Sequence, residues 1–138
     1  MLKTMALIFG IVFLAIGAAG FFILNPAGPG STGHNLTMNH GEGVLMGLFP
    51  VNTLHNAAHL LFGVWGLLAS RTVGGARGYF RGVAIGYGLL TVLGLIPQTN
   101  TLFGFVPLHG NDVWLHAVLA LAGAYLGFVH RERTVDAR

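Results

Sequence analysis

The sequence predicts an all-α membrane protein: one domain over residues 1–138, a bundle of four transmembrane helices arranged as two parallel helical hairpins. Three observations predict it. Charged residues make up only 8% of the chain and hydrophobic residues 54%, where soluble domains carry about 25% and 45–50%. Four apolar runs are each long enough to cross a bilayer core, which takes about 20 helical residues with a range of about 17–25. All seven Lys and Arg residues fall on one side of the four-run pattern, and six of the seven His fall on the other.

The first run, Met5 to Leu24, is closed by Asn25-Pro26. It resembles a signal peptide in having Lys3 before it and Ala18-Ala19 near its end. Its apolar stretch, however, exceeds the roughly 7–15 residues of a signal h-region, so a retained helix is expected. Leu54 to Ser70 is the second run and ends at Arg71. Tyr79 to Ile96 is the third and stops at Pro97. Val113 to Val129 is the fourth and ends at His130-Arg131. Proline after a helix end is harmless, because its missing N–H is not needed there.

Charge sets the direction. Lys3, a basic loop with Arg71, Arg77 and Arg81, and a tail with Arg131, Arg133 and Arg138 are expected on the cytoplasmic side by the positive-inside rule. The outer loops, Asn25–Thr53 and Pro97–Asp112, hold no Lys or Arg. Both termini are therefore expected in the cytoplasm, and the protein in the inner (cytoplasmic) membrane. The lipid bilayer is its first partner. Basic residues that flank apolar runs point to a membrane surface and away from nucleic acid. There is no Cys, which excludes disulfides, thiolate metal sites and thiol nucleophiles.

The first outer loop has two parts. Asn25 to His40 is rich in Gly, Pro, Ser, Thr and Asn and is expected to be irregular. Within it, Asn35-Leu36-Thr37 fits a glycosylation sequon, a short pattern that is frequent by chance. Val44 to Phe49 is apolar, too short to span, and is expected to lie in the interface or fold over the mouth of the bundle.

Gly47, Pro50 and His59 recur as Gly104, Pro107 and His116, each 57 residues later, which suggests duplication of a hairpin. Gly78, Gly82 and Gly86 step by four along the third helix, and Gly123 and Gly127 along the fourth. Small residues let helices approach closely in lipid. These five glycines are the expected packing faces, for helices of this chain or for self-association. Tyr79 and Trp114 fit interfacial anchors. Trp65, Tyr87 and Tyr125 fit either anchors or core.

The candidate site lies at the outer mouth. His55 and His59 share one helical face, with Asn56 beside them, and Asp112 and His116 repeat the spacing. His59 and His116 sit at similar depth, about one turn into the membrane. Ionisable groups there face protein or a water-filled cavity. Three readings stand. The residues form a hydrogen-bonded network, with Asp112 as a helix N-cap. Alternatively, His59 and His116 bind a haem or a chlorophyll-type pigment, or His55, His59, Asp112 and His116 bind a divalent metal. A proton or solute path is the third, and it lacks polar groups farther in. His34, His40 and His109 read as solvated loop residues and His130 as part of the cytoplasmic boundary. Neither a phosphate loop nor a hydrolase signature is present, so no enzymatic activity is expected.

The stretch Leu48 to Gly63, with His55-Asn56-x-x-His59 at its centre, resembles a bacterial family of small four-helix membrane proteins that carries only a domain-of-unknown-function name. Asn111-Asp112-Val113-Trp114-Leu115-His116 and the basic segment between helices two and three resemble it too. The resemblance covers roughly residues 45–130 and implies a four-span fold without an assigned reaction. Size and composition together favour a non-catalytic accessory or structural subunit of a larger membrane complex, photosynthetic or respiratory, packed against other subunits. The alternative is a haem-, pigment- or metal-binding protein of electron transfer.

Overall fold

Side chains at the helix starts decide where the chain turns. The computed structural model describes residues 1–22, 25–26 and 32–132. Its elements are α1 (Leu2–Phe22), β1 (Asn25–Pro26), β2 (Gly43–Leu45), β3 (Phe49–Val51), α2 (Thr53–Ala69), α3 (Val73–Leu95) and α4 (Asn111–Ala124), which continues through one π turn, Tyr125–Val129. The Asn52 side chain accepts from the His55 N–H (2.9 Å) and starts α2. Thr72 Oγ1 accepts from the Gly75 N–H (2.9 Å) and starts α3. Each bond satisfies a donor that has no partner within the helix.

The Thr72 cap corrects one expectation. The predicted basic loop from Arg71 to Arg81 is only residues 70–72, and Arg77 and Arg81 lie within α3. The glycines and arginines there look like a loop by composition, but nothing in them stops a capped helix. Arg81 Nε donates to the Gly127 carbonyl (3.0 Å), and its guanidinium lies 5.2 Å from the Phe128 ring centre. It therefore serves a carbonyl at the frayed end of α4, where a cation is favoured. Arg133 and Arg138 lie outside the described residues. At the same end, the Glu132 carboxylate accepts from the Leu2 N–H and pairs with the terminal ammonium (2.9 Å). Those two contacts hold the Glu132 carboxyl below its ordinary range, the N–H bond contributing most.

Three helices are long and apolar enough to cross a membrane: Leu2–Phe22, Val73–Leu95 and the continuous Asn111–Val129. α2, at 17 residues, is shorter than these. The all-α expectation also gains a small antiparallel sheet, ordered β1-β2-β3. In it, Val44 pairs with Pro50 and Leu45 with Phe49. The apolar Val44–Phe49 segment is thus a hairpin, which buries Leu45 while the Met46 tip stays exposed.

α1 packs along α2, and α3 along α4; the two hairpins meet through α2–α3 and α1–α3. The 57-residue repeat extends into backbone geometry. Met46-Gly47 (φ 55°, 70°) and Phe103-Gly104 (φ 58°, 89°) both turn left-handed, a conformation glycine adopts without steric cost. Leu48 N–H donates to the Leu45 carbonyl (3.0 Å) and Phe105 N–H to the Leu102 carbonyl (3.2 Å), which is the same bond displaced by 57. α1 and α3 correspond at a shift of 74: Ala6 to Phe80, Gly10 to Ala84, Phe13 to Tyr87 and Gly20 to Gly94. Phe13 and Tyr87 stack on each other, ring centres 5.5 Å apart at 24°. The hairpins are therefore related by an approximate twofold, with Phe13 and Tyr87 facing across it. The two shifts differ because the first outer loop is longer, and this hides the match of α1 to α3 from any single-offset comparison.

Close approach occurs at equivalent places. A Cβ on Gly66 would lie 2.8 Å from Gly10 Cα, and one on Gly123 would lie 2.7 Å from Ala84 N. On α3, Gly82 makes room for the Trp65 ring, whereas Gly78 faces open space. Gly127 approaches the Arg81 backbone. Tyr79 is no interfacial anchor: it is fully buried, edge-on to Trp65 at 5.2 Å. Trp114, by contrast, is exposed.

Candidate site at the outer end of the bundle

The site begins with Asn52. Besides capping α2, its side-chain amide donates to the Met38 carbonyl (2.8 Å) and the Phe105 carbonyl (2.7 Å). One buried amide thus ties both outer loops to the first turn of α2. That fixes His55, one turn in, with His59 one turn farther on the same face. The two rings stack, centres 4.9 Å apart at 15°. His59 also stacks on Phe13 (5.6 Å, 29°).

From the second hairpin, α4 presents Asp112 and His116. Asp112 Oδ2 lies 3.9 Å from His55 Nδ1. The His116 ring centre is 6.0 Å from that of His55, and Tyr87 meets His116 edge-on at 5.1 Å. α2 and α4 therefore converge at their outer ends. One ligand atom from each of His55, Asp112 and His116 lies within 4.8 Å of the other two.

The centre of this cluster differs from the sequence expectation. His55, expected in a supporting position, is the ring that touches all the others, whereas His59 stands outside the three-donor group. His55 is the symmetry counterpart of Asp112, so the three donors join an equivalent pair to one member of the His59–His116 pair. Asp112 makes no N-cap either: Gly110 holds the position before α4, and no side chain caps that helix.

His55, Asn56, His59, Asp112 and His116 are each 4% exposed or less. Yet His55 Nδ1, Asn56 Nδ2, His59 Nδ1, Asp112 Oδ2 and His116 Nδ1 have no hydrogen-bond partner among the described residues. A buried polar atom left without a partner costs about 1–3 kcal/mol, so five in one cluster do not make a satisfied network.

The other expected residues fall outward. His40 Nδ1 lies 3.1 Å from Thr53 Oγ1 at the surface. His34 and His109 are not merely solvated: their ring centres are 4.2 Å apart, linking the two outer loops. Burial, and then the neighbouring His34, lower the His109 pKa. His130 packs beside Tyr125 at the opposite end. Asn52 and Phe13 complete the site without having been singled out in the sequence, and Tyr87, read there as anchor or core, packs against His116. For Asn52 the signal was present, an Asn just before an apolar helical run. For Phe13 and Tyr87 it required the 74-residue shift.

A family model, described as a domain of unknown function (DUF4383), matches residues 3–129. The chain belongs to this family. No curated protein and no solved structure matches it.

Proposed function

We propose that this member of the DUF4383 family is a four-span protein of a bacterial cytoplasmic membrane that holds one divalent transition-metal ion at His55, Asp112 and His116. Binding, not turnover, is the function inferred. The observation that carries it is the set of three converging donors, all buried, each with an unpartnered ligand atom. Tetrahedral sites with bonds of about 2.0–2.1 Å hold their ligand atoms about 3.3–3.5 Å apart, so a small inward rotation of the side chains closes the present spacing. Two imidazoles and a carboxylate suit Zn, Co, Fe or Ni, and the single carboxylate offsets part of the ion's charge. The His55 ring packs against both His59 and His116, which favours a small ion over a flat haem or pigment between those two rings.

Membrane orientation is supported by the split of charge. Lys3, Arg71, Arg77 and Arg131 stand toward the ends of helices opposite the histidine cluster, and Arg81 lies about two turns into α3 from that end. At 1.5 Å per residue α2 is about 26 Å long, the short limit for a span, and the β2–β3 hairpin covers its outer end. The accessory-subunit reading remains the second one. The observation in its favour is the row of exposed apolar side chains such as Leu61, Val118 and Leu121, which lipid also covers. Protein purified in mild detergent tests the two together. We expect one Co(II) or Zn(II) per chain, Co(II) giving visible d–d bands, with uptake lost in His55→Ala, Asp112→Ala and His116→Ala. Folded protein that takes up no metal contradicts the ion site, and co-purification of a stoichiometric second membrane chain would favour the subunit reading.

A further inference from the structure

The approximate twofold of the fold is broken in one place. α2 packs directly on α3, and the seam between them holds a cavity of about 100 Å³, lined by Ala58, Phe62, Tyr87 and Leu90. The equivalent seam between α1 and α4 is wider. It holds a cavity of about 160 Å³ along Ile8, Val12, Phe13 and Ile16, and a second of about 230 Å³ above it under Leu45, Phe49 and Val51. Ile16, His59 and Leu115 line both cavities, so the two are contiguous. His59 is the polar side chain they share, and its Nδ1 has no partner. Ile8 and Val12 are about half exposed on the flank of α1, so the lower part of the seam opens at bilayer depth.

We infer that this seam binds a membrane-borne, chain-bearing quinone or quinol, its ring beside His59 and its chain along α1. Polarity along the membrane normal fits such a ligand. The upper cavity carries His55, His59 and Asp112, while the lower one has only apolar side chains besides His59. From Ile8 to Ile16 is about 12 Å of helix, room for a short apolar chain pointing toward the bilayer centre. The aromatic and imidazole walls (Phe13, Phe49, His55, His59) suit a flat ring. A neutral imidazole offers one donor and one acceptor, suited to an uncharged carbonyl or hydroxyl. The inference concerns binding alone. It rests on His59, which is not one of the three metal donors, and so does not require the ion.

Decylubiquinone is the probe, added to protein in quinone-free phosphatidylcholine nanodiscs and followed by native mass spectrometry. We expect one bound quinone per chain. His59→Leu should weaken binding roughly tenfold, the equivalent of one hydrogen bond of about 1.4 kcal/mol. Leu115→Trp, which fills the junction of the two cavities, should abolish binding while Co(II) uptake persists, and that uptake shows the variant is folded. Dodecanol, a chain without a ring, should not displace the quinone. Unchanged binding in both variants, or equal displacement by dodecanol, would overturn the inference. Wild-type protein that takes up Co(II) but no quinone overturns this inference alone; protein that binds quinone but no metal overturns only the ion site.

Discussion

The two hairpins share one scaffold and differ in what they place on it. Each has a left-handed turn, a proline, a buried aliphatic residue (Val51 or Leu108) and a histidine in the second turn of its outer-mouth helix. At the remaining key position the first hairpin carries His55 and the second Asp112. Two acids there would repel, and two imidazoles would leave an ion's charge uncompensated. One of each gives a mixed donor set across the twofold. The seams differ in the same spirit: the one beside α3 is narrow, the one beside α4 wide. The repeat supplies the frame, and departures from symmetry supply the candidate chemistry.

The comparison is sharpened first by the helix crossings, where the largest effect on stability is expected. Gly66→Leu would drive a side chain into the Gly10 backbone and should cost about 3 kcal/mol or more, at or beyond the upper end of overpacking penalties. Gly78→Leu, in open space, should cost less than about 0.5 kcal/mol. Unfolding in mixed detergent–denaturant reads both, and similar losses at the two positions would break the packing assignment.

Next come the seams. Leu90 and Ile16 are equivalent across the repeat, one in the narrow seam and one in the wide. Leu90→Trp should destabilise by about 1–3 kcal/mol through overpacking, whereas Ile16→Trp should stay within about 1 kcal/mol of wild type because a cavity receives the ring. Equal effects would mean that the seams do not differ in solution. Asn52→Ala follows, at about 1–2 kcal/mol, because it removes a cap and leaves the Met38 and Phe105 carbonyls without a donor. Hydrogen exchange should rise in both outer loops together. A rise confined to α2 would show that the amide does not tie the loops.

The smallest effect is one of pH. The His109 pKa is lowered by burial and by His34, so the folded state binds fewer protons than the unfolded one in the range where histidine titrates. Stability from this contact is then complete above the ordinary value of 6.5 and falls as pH drops below it. The protection of residues 101–110, taken relative to the intrinsic exchange rate at each pH, should fall as pH drops below about 6.5, and His109→Gln should remove that dependence. A pH response unchanged in the variant would place its origin elsewhere.

Much of this was legible in the chain. The apolar runs locate all four helices, because alternatives to a helix leave backbone groups unpaired in lipid. The spacing of His55 to His59 and of Asp112 to His116 picked out the four ionisable residues of the cluster, with Asn56 beside them, but not Asn52. The true start of α3 was obscured by glycines and arginines that resemble a loop, and Thr72 was the overlooked start signal. The precedence of His55 over His59 could not be read, because it depends on the rotation of α2 against α4, which no local pattern encodes. The Val44–Phe49 segment was read as apolar cover, but its hairpin form depends on Met46 adopting a left-handed turn that only tertiary context selects. The glycine contacts between α1 and α2 were missed because attention fell on strict four-residue steps, whereas Gly10, Gly17 and Gly20 are spaced unevenly.

X-ray absorption at the zinc edge of the metal-loaded protein tests the central claim most directly. The expected spectrum has an all nitrogen/oxygen first shell at about 2.0–2.1 Å and outer-shell scattering from two imidazoles, falling to one in His116→Ala if that variant retains any zinc. A zinc shell without imidazole scattering, or a spectrum unchanged by His116→Ala, would contradict a site built from His55, Asp112 and His116.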